Sequence, residues 1–225
     1  LGKTGYDEKQ WYDPATADHY NTVGVYGLND VIVDLLHELG IEHIIRTDVL
    51  LQTLQEKAAV ANRLSDELFE VLKKHQLRET EIYKVATMLP GLYTTGSRKD
   101  DEGYVQFIGM HLDSSLGMGL DTAEASKNRL CVNITGEPRY LFFIDVSVRE
   151  MLAMIREKHS ITEAVSQFTL PDLFFTCYPE YPVLRLRQPA YSYYIAPTDN
   201  CVHDGSTMDR TKVDTTITYL GYLKP

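Results

Sequence analysis

At 225 residues, 44% hydrophobic and 24% charged, the chain has the length and composition of a globular protein able to bury a sizeable core. Its formal charge of -10 comes without any block of lysine or arginine and argues against nucleic acid or anionic membrane surfaces as partners. No apolar run approaches the ~18–20 residues of a membrane span and no signal segment is evident; the 3 widely spaced cysteines (Cys131, Cys177 and Cys201) suit reduced thiols in a cytoplasmic protein.

The stretch through Gly27 is rich in Gly, Tyr, Asp and Asn and reads as irregular. Asn29 is placed to cap a short helix over 30–39, which Gly40 would end. One longer helical segment is expected from Thr47 to about Gln76. There Leu50, Leu54, Ala58, Ala61, Leu64, Leu68 and Leu72 recur every three or four residues. Pro90-Gly91 and the polar stretch from Gly96 to Gly103 read as loops.

From Tyr104 the pattern turns strand-like. Residues 104–110 lead into His111, 129–135 form a second run, and the turn Gly136-Glu137-Pro138 opens a third over 139–144. Val146 to Lys158 returns to helical spacing, and 162–168 suggest a second short helix. Runs at 183–187, 191–196 and 215–222 complete the strands. Helices first and short strands afterwards indicate an α+β fold, its strands closing as a barrel or jelly roll. The expected organisation is one domain over 1–225: a mainly helical flank over 1–100 and a core over 104–223, with a helical insert near 146–168.

Chemistry concentrates in His111-Leu112-Asp113 and in a later histidine, His203, within Asn200-Cys201-Val202-His203-Asp204-Gly205. Alternate residues of a strand share a face, so His111 and Asp113 can point the same way. His203 follows the exit of another strand and precedes an apparent turn at Asp204-Gly205. Two neutral imidazoles and one carboxylate can hold an Fe(II) ion from one side and leave its remaining positions open to co-substrate and O2. The remaining histidines lack ligand spacing and read as surface residues or satisfied partners.

The order strand, His-x-Asp, loop, strand pair, helical insert, strand, histidine and final strand resembles the Fe(II)/2-oxoglutarate-dependent oxygenases over Tyr104 to Tyr222. The resemblance implies a double-stranded β-helix (jelly-roll) core with the N-terminal helices packed outside. It also implies Fe(II), 2-oxoglutarate and O2 as cofactor and co-substrates, with succinate and CO2 released. The activity it implies is oxidation, most often hydroxylation, of an unactivated C–H bond in a small molecule such as an amino acid or specialised metabolite.

The family needs a cation for the distal carboxylate of 2-oxoglutarate, usually arginine for its two-pronged geometry. The familiar position about ten residues beyond the distal histidine is not matched: Arg210 comes earlier, before the last strand. Arg129 and Arg139 are candidates on the strands after His-x-Asp, with Asn133 as a polar neighbour. Ser114 and Ser115 could face substrate or cap a loop. Arg185 and Arg187 share a strand face that is solvated or turned toward an acidic substrate group, and Tyr191, Tyr193 and Tyr194 read as packing.

Two other readings compete. A cupin-type metal enzyme without 2-oxoglutarate would carry more clustered histidines in a Gly-rich motif. A non-catalytic jelly-roll binding domain would leave the ligand set unexplained. Cysteine chemistry at Cys131 or Cys201 lacks an accompanying oxyanion pattern.

Overall fold

The computed structural model describes residues 22–113, 119–158 and 165–225. The expected short helix over 162–168 lies partly outside that range, as do Ser114, Ser115, His19 and His159. The element order is β1 (Gly24–Gly27), α1 (Asp30–Leu39), α2 (Thr47–Glu56), α3 (Ala58–His75), β2 (Gln76–Met88), β3 (Ser97–Lys99), β4 (Val105–Phe107), β5 (Asn128–Asn133) and β6 (Arg139–Ser147). There follow α4 (Val148–Lys158), α5 (Leu170–Cys177), β7 (Leu184–Gln188), β8 (Ser192–Ala196), β9 (Cys201–Ser206) and β10 (Asp214–Leu223).

Strands β1-β8-β5-β10-β2 form an antiparallel five-stranded sheet, and β7-β6-β9 a three-stranded one. From β5 onward the chain passes back and forth between them. Cys131, Tyr194 and Ala196 of the larger sheet share a buried cluster with Leu141, Phe143, Leu184 and Cys201 of the smaller one, so the two sheets face each other across a common core.

Alternation then dictates what the opposite faces meet. Leu130, Val132, Tyr193, Ile195 and Tyr219 point the other way and pack against Ile32, Leu36, Leu64, Leu68 and Leu72 of the helices. Each fully buried aliphatic side chain in such a layer contributes about 1.5–3 kcal/mol relative to exposure. Ile144 and Val202 of the smaller sheet instead pack with Met151, Ile155, Leu170 and Phe174 of α4 and α5.

Helix α1 begins and ends as its residues dictate. The Asn29 side chain accepts the Ile32 N–H at 2.9 Å, and Gly40 at φ 74° supplies the left-handed turn that closes the helix.

Several elements differ from their sequence reading. The long helix is two, broken at Lys57, whose backbone (φ −107°, ψ 40°) leaves the helical region. Gly24–Gly27 is a strand rather than irregular, paired to β8 at the sheet edge. Residues 76–88 form a long strand with no aliphatic run to announce it, and β3 lies within the expected loop after Gly96. Residues 165–168 are not helical; the helix there is α5, which carries a proline in its first turn, where a missing N–H costs nothing. Asp204-Gly205 lies inside β9 and is not a turn. No helix among the described residues is long and apolar enough to cross a membrane.

Candidate metal centre

His111 extends the smaller sheet by one rung. Its N–H donates to the His203 carbonyl and the His203 N–H donates back, each at 2.9 Å. Residues paired in this way project to the same face, and the two rings lie 4.7 Å apart between centroids. On the other side of β9, Phe143 pairs with His203, so one inward-facing row runs Phe143, His203, His111. The Asp113 N–H donates to the Thr198 carbonyl at 3.1 Å, which holds the carboxylate two residues beyond His111 at the same mouth.

The three side chains converge. Asp113 Oδ1 is 3.7 Å from His111 Nε2, and Oδ2 is 3.6 Å from His203 Nε2. One ligand atom from each residue lies within 4.8 Å of the others; no other group of three such donors occurs among the described residues.

Hydrogen bonds fix the tautomers. His111 Nδ1 lies 2.6 Å from the Gly109 carbonyl and His203 Nδ1 lies 2.9 Å from the Cys201 carbonyl. A carbonyl only accepts, so each Nδ1 carries a proton, and each ring when neutral turns its Nε2 lone pair inward, as metal-bound imidazoles require. Burial, outweighing the nearby Asp113 charge, lowers the His203 pKa to about 4 and keeps the ring neutral. Burial opposes ionisation of Asp113, but the Arg129 guanidinium beside it leads the contacts that together outweigh burial and hold the carboxyl below its ordinary range. The donor set therefore fits a divalent first-row metal ion.

A glycine supports the site. Gly96 lies flat against His111: a Cβ there would sit 2.5 Å from the ring's Cε1 and 2.9 Å from Asp204 Oδ1. The Gly96 N–H donates to that same carboxylate oxygen at 2.9 Å. No sequence motif marks Gly96; only its proximity in the fold does.

The four polar candidates occupy different surroundings. Arg129, on β5 of the larger sheet, reaches Asp113 directly, its Nη2 lying 2.6 Å from Oδ2. Arg139 enters the space between the sheets. Its Nη1 donates to Cys131 Sγ at 3.3 Å, its Nε faces Asp214 at 3.3 Å, and its Nη2 lies 2.9 Å from where a Gly205 Cβ would be. Gly205 follows His203 by two positions on the same strand face, so Arg139 and the cluster of His111, Asp113 and His203 share one interior.

Arg210 donates to the carbonyls of Glu137, Lys212 and Val213 and to the Thr135 hydroxyl, and its Nη1 also lies 3.4 Å from Asp214. Asn133 donates to the Glu137 and Pro189 carbonyls and accepts from Thr135. Both residues brace the β5–β6 turn.

Other residues are placed more simply. Arg185 and Arg187 are exposed, with Arg185 over the Tyr140 ring at 5.0 Å. His37 and His75 bond the hydroxyls of Tyr191 and Tyr193, each at 2.9 Å. Burial pushes the Cys201 thiol up to about 12, which removes the thiolate a nucleophile needs.

No family model matches the chain, and no curated protein matches it. Among solved structures it is similar to several of the Kdo hydroxylase KdoO, a non-heme Fe(II) alphaketoglutarate-dependent dioxygenase. The complex with succinate and Fe(III) is 14% identical at TM-score 0.44, covering 92% of this chain and 80% of that one. The complex with alphaketoglutarate and Fe(III) is 16% identical at TM-score 0.45, with the same coverage. The cobalt(II) complex is 17% identical at TM-score 0.41, covering 96% and 74%.

Proposed function

We propose that this protein is an Fe(II)- and 2-oxoglutarate-dependent oxygenase acting on a C–H bond of a small molecule. The observation that carries the reading is the convergence of His111 Nε2, His203 Nε2 and the Asp113 carboxylate, with both imidazoles held as the tautomer that frees Nε2. When bound, iron would supply the O2-dependent oxidation, coupled to decarboxylation of 2-oxoglutarate to succinate and CO2.

The chain's own residues provide the rest. His111, Asp113 and His203 would hold the ion from one side, which would leave room at it for co-substrate and O2. Arg139 is the cation this reading assigns to the distal carboxylate of 2-oxoglutarate. It is buried, faces the interior that holds His203, and shares its counter-ion Asp214 with a second guanidinium. Arg210 and Asn133 serve by bracing the turn behind it. The passage of the chain from β5 to the β6–β7 pair, back to β8, across to β9 and back to β10, between two facing sheets, supports a double-stranded β-helix, and the core shared by α1, α3 and the larger sheet supports one domain with its helices outside.

The test is anaerobic addition of Fe(II) and then 2-oxoglutarate. A weak visible charge-transfer band is expected in the parent and not in His111→Ala. If the parent gives no band and His111→Ala behaves like it, the reading fails. A cupin-type enzyme would bind metal yet leave 2-oxoglutarate unbound.

A further inference from the structure

Arg129 stands where a metal site does not ordinarily need a cation. It comes from the opposite sheet and places Nη2 2.6 Å from Oδ2 of Asp113, the carboxylate that the metal-centre reading makes a ligand. A positive charge this close repels a dication and occupies one of the two oxygens available to it. Such a contact weakens metal binding, so its value must lie elsewhere.

Coordination number supplies that value. A carboxylate gripping the ion through both oxygens would, with two imidazoles, fill four positions of an octahedron. Only two would remain, too few for a co-substrate that chelates and an O2 molecule beside it. An oxygen engaged by Arg129 would leave Asp113 a single tooth and three positions open to other ligands. The guanidinium also adds one positive charge beside the ion, which favours a doubly anionic co-substrate over a neutral one.

We infer that Arg129 is a positioning residue that restrains Asp113 to one-oxygen ligation. The inference rests on the metal-centre reading above. It separates Arg129 from Arg139: the first acts through a ligand, the second on the co-substrate.

Co(II) is the probe, since its binding can be titrated by calorimetry and its visible ligand-field bands report coordination without turnover. Arg129→Gln is expected to bind Co(II) about tenfold more tightly than the parent, because a nearby repulsion is removed and the second oxygen released. Its ligand-field spectrum should change in step. Arg129→Lys, which keeps the charge, should bind close to the parent, and Arg129→Met is measured beside it so that lost packing is not read as lost charge. Damage to the fold alone would weaken Co(II) binding in every variant.

Co(II) binding by Arg129→Gln and Arg129→Met at or below the parent's strength overturns the inference, as does a lysine variant as tight as the glutamine one. His203→Ala separates the two readings. If the parent binds and His203→Ala does not, a parent-like Arg129→Gln defeats the clamp alone. If the parent itself binds no Co(II), the metal centre and the clamp fall together.

Discussion

Replacing Asp214 with alanine is expected to destabilise the protein by about 3–5 kcal/mol, read as a lowered melting temperature and an earlier denaturation midpoint. Asp214 is 1% exposed, with Arg139 Nε 3.3 Å from one oxygen and Arg210 Nη1 3.4 Å from the other. The carboxylate is the charge that two buried guanidiniums share. Without it they remain in the interior, repelling each other across a space from which water is largely excluded. Asp214→Asn keeps the shape and removes the charge, so a loss nearly as large is expected there. A midpoint within error of the parent for both variants would mean that the two arginines are already solvated.

Gly96→Val is the second large effect, and it falls on metal affinity. Even the first added carbon would sit 2.5 Å from His111 Cε1 and 2.7 Å from its Nδ1. The backbone of Gly96 has little freedom to retreat. Its N–H is tied to Asp204, and its carbonyl accepts the Ile108 N–H at 2.9 Å. The ring must therefore move, and with it the Nε2 lone pair. Losses from disturbing the partners that orient a metal ligand run to roughly 10–100-fold, and a drop of that size in Co(II) affinity is expected, together with a lowered melting temperature from the crowding. Parent-like affinity would mean that the loop carrying Gly96 yields and the His111 ring stays in place.

The pairing of His111 with Asp113 could be read from sequence because strand geometry makes their spacing informative. His-x-Asp at a strand end needs no knowledge of the fold to put two donors on one side. The capped helix from Asp30 to Leu39 was equally plain, since Asn29 and Gly40 act locally. What stayed hidden depends on contacts distant in sequence. Strand β2 lies at the edge of its sheet, where one side meets solvent and residues such as Ile82 stay exposed; its charges therefore resemble a loop. Asp204-Gly205 imitates a turn, yet Gly205 is small so that Thr95 and Arg139 can stand where its side chain would be. Arg129, Arg139 and Arg210 look alike as letters. Only the strand pairing distributes them among a ligand, a shared interior and a turn.

The most direct test is the position of a bound ion. A crystal soaked anaerobically with Co(II), with the ion located by its anomalous scattering, should show a single strong peak between His111 Nε2, His203 Nε2 and one oxygen of Asp113. Each bond should be about 2.0–2.2 Å, the range of imidazole and carboxylate donors to a first-row ion. A peak held by other side chains, or no peak at those three donors under saturating metal, would contradict the assignment on which the chemistry depends.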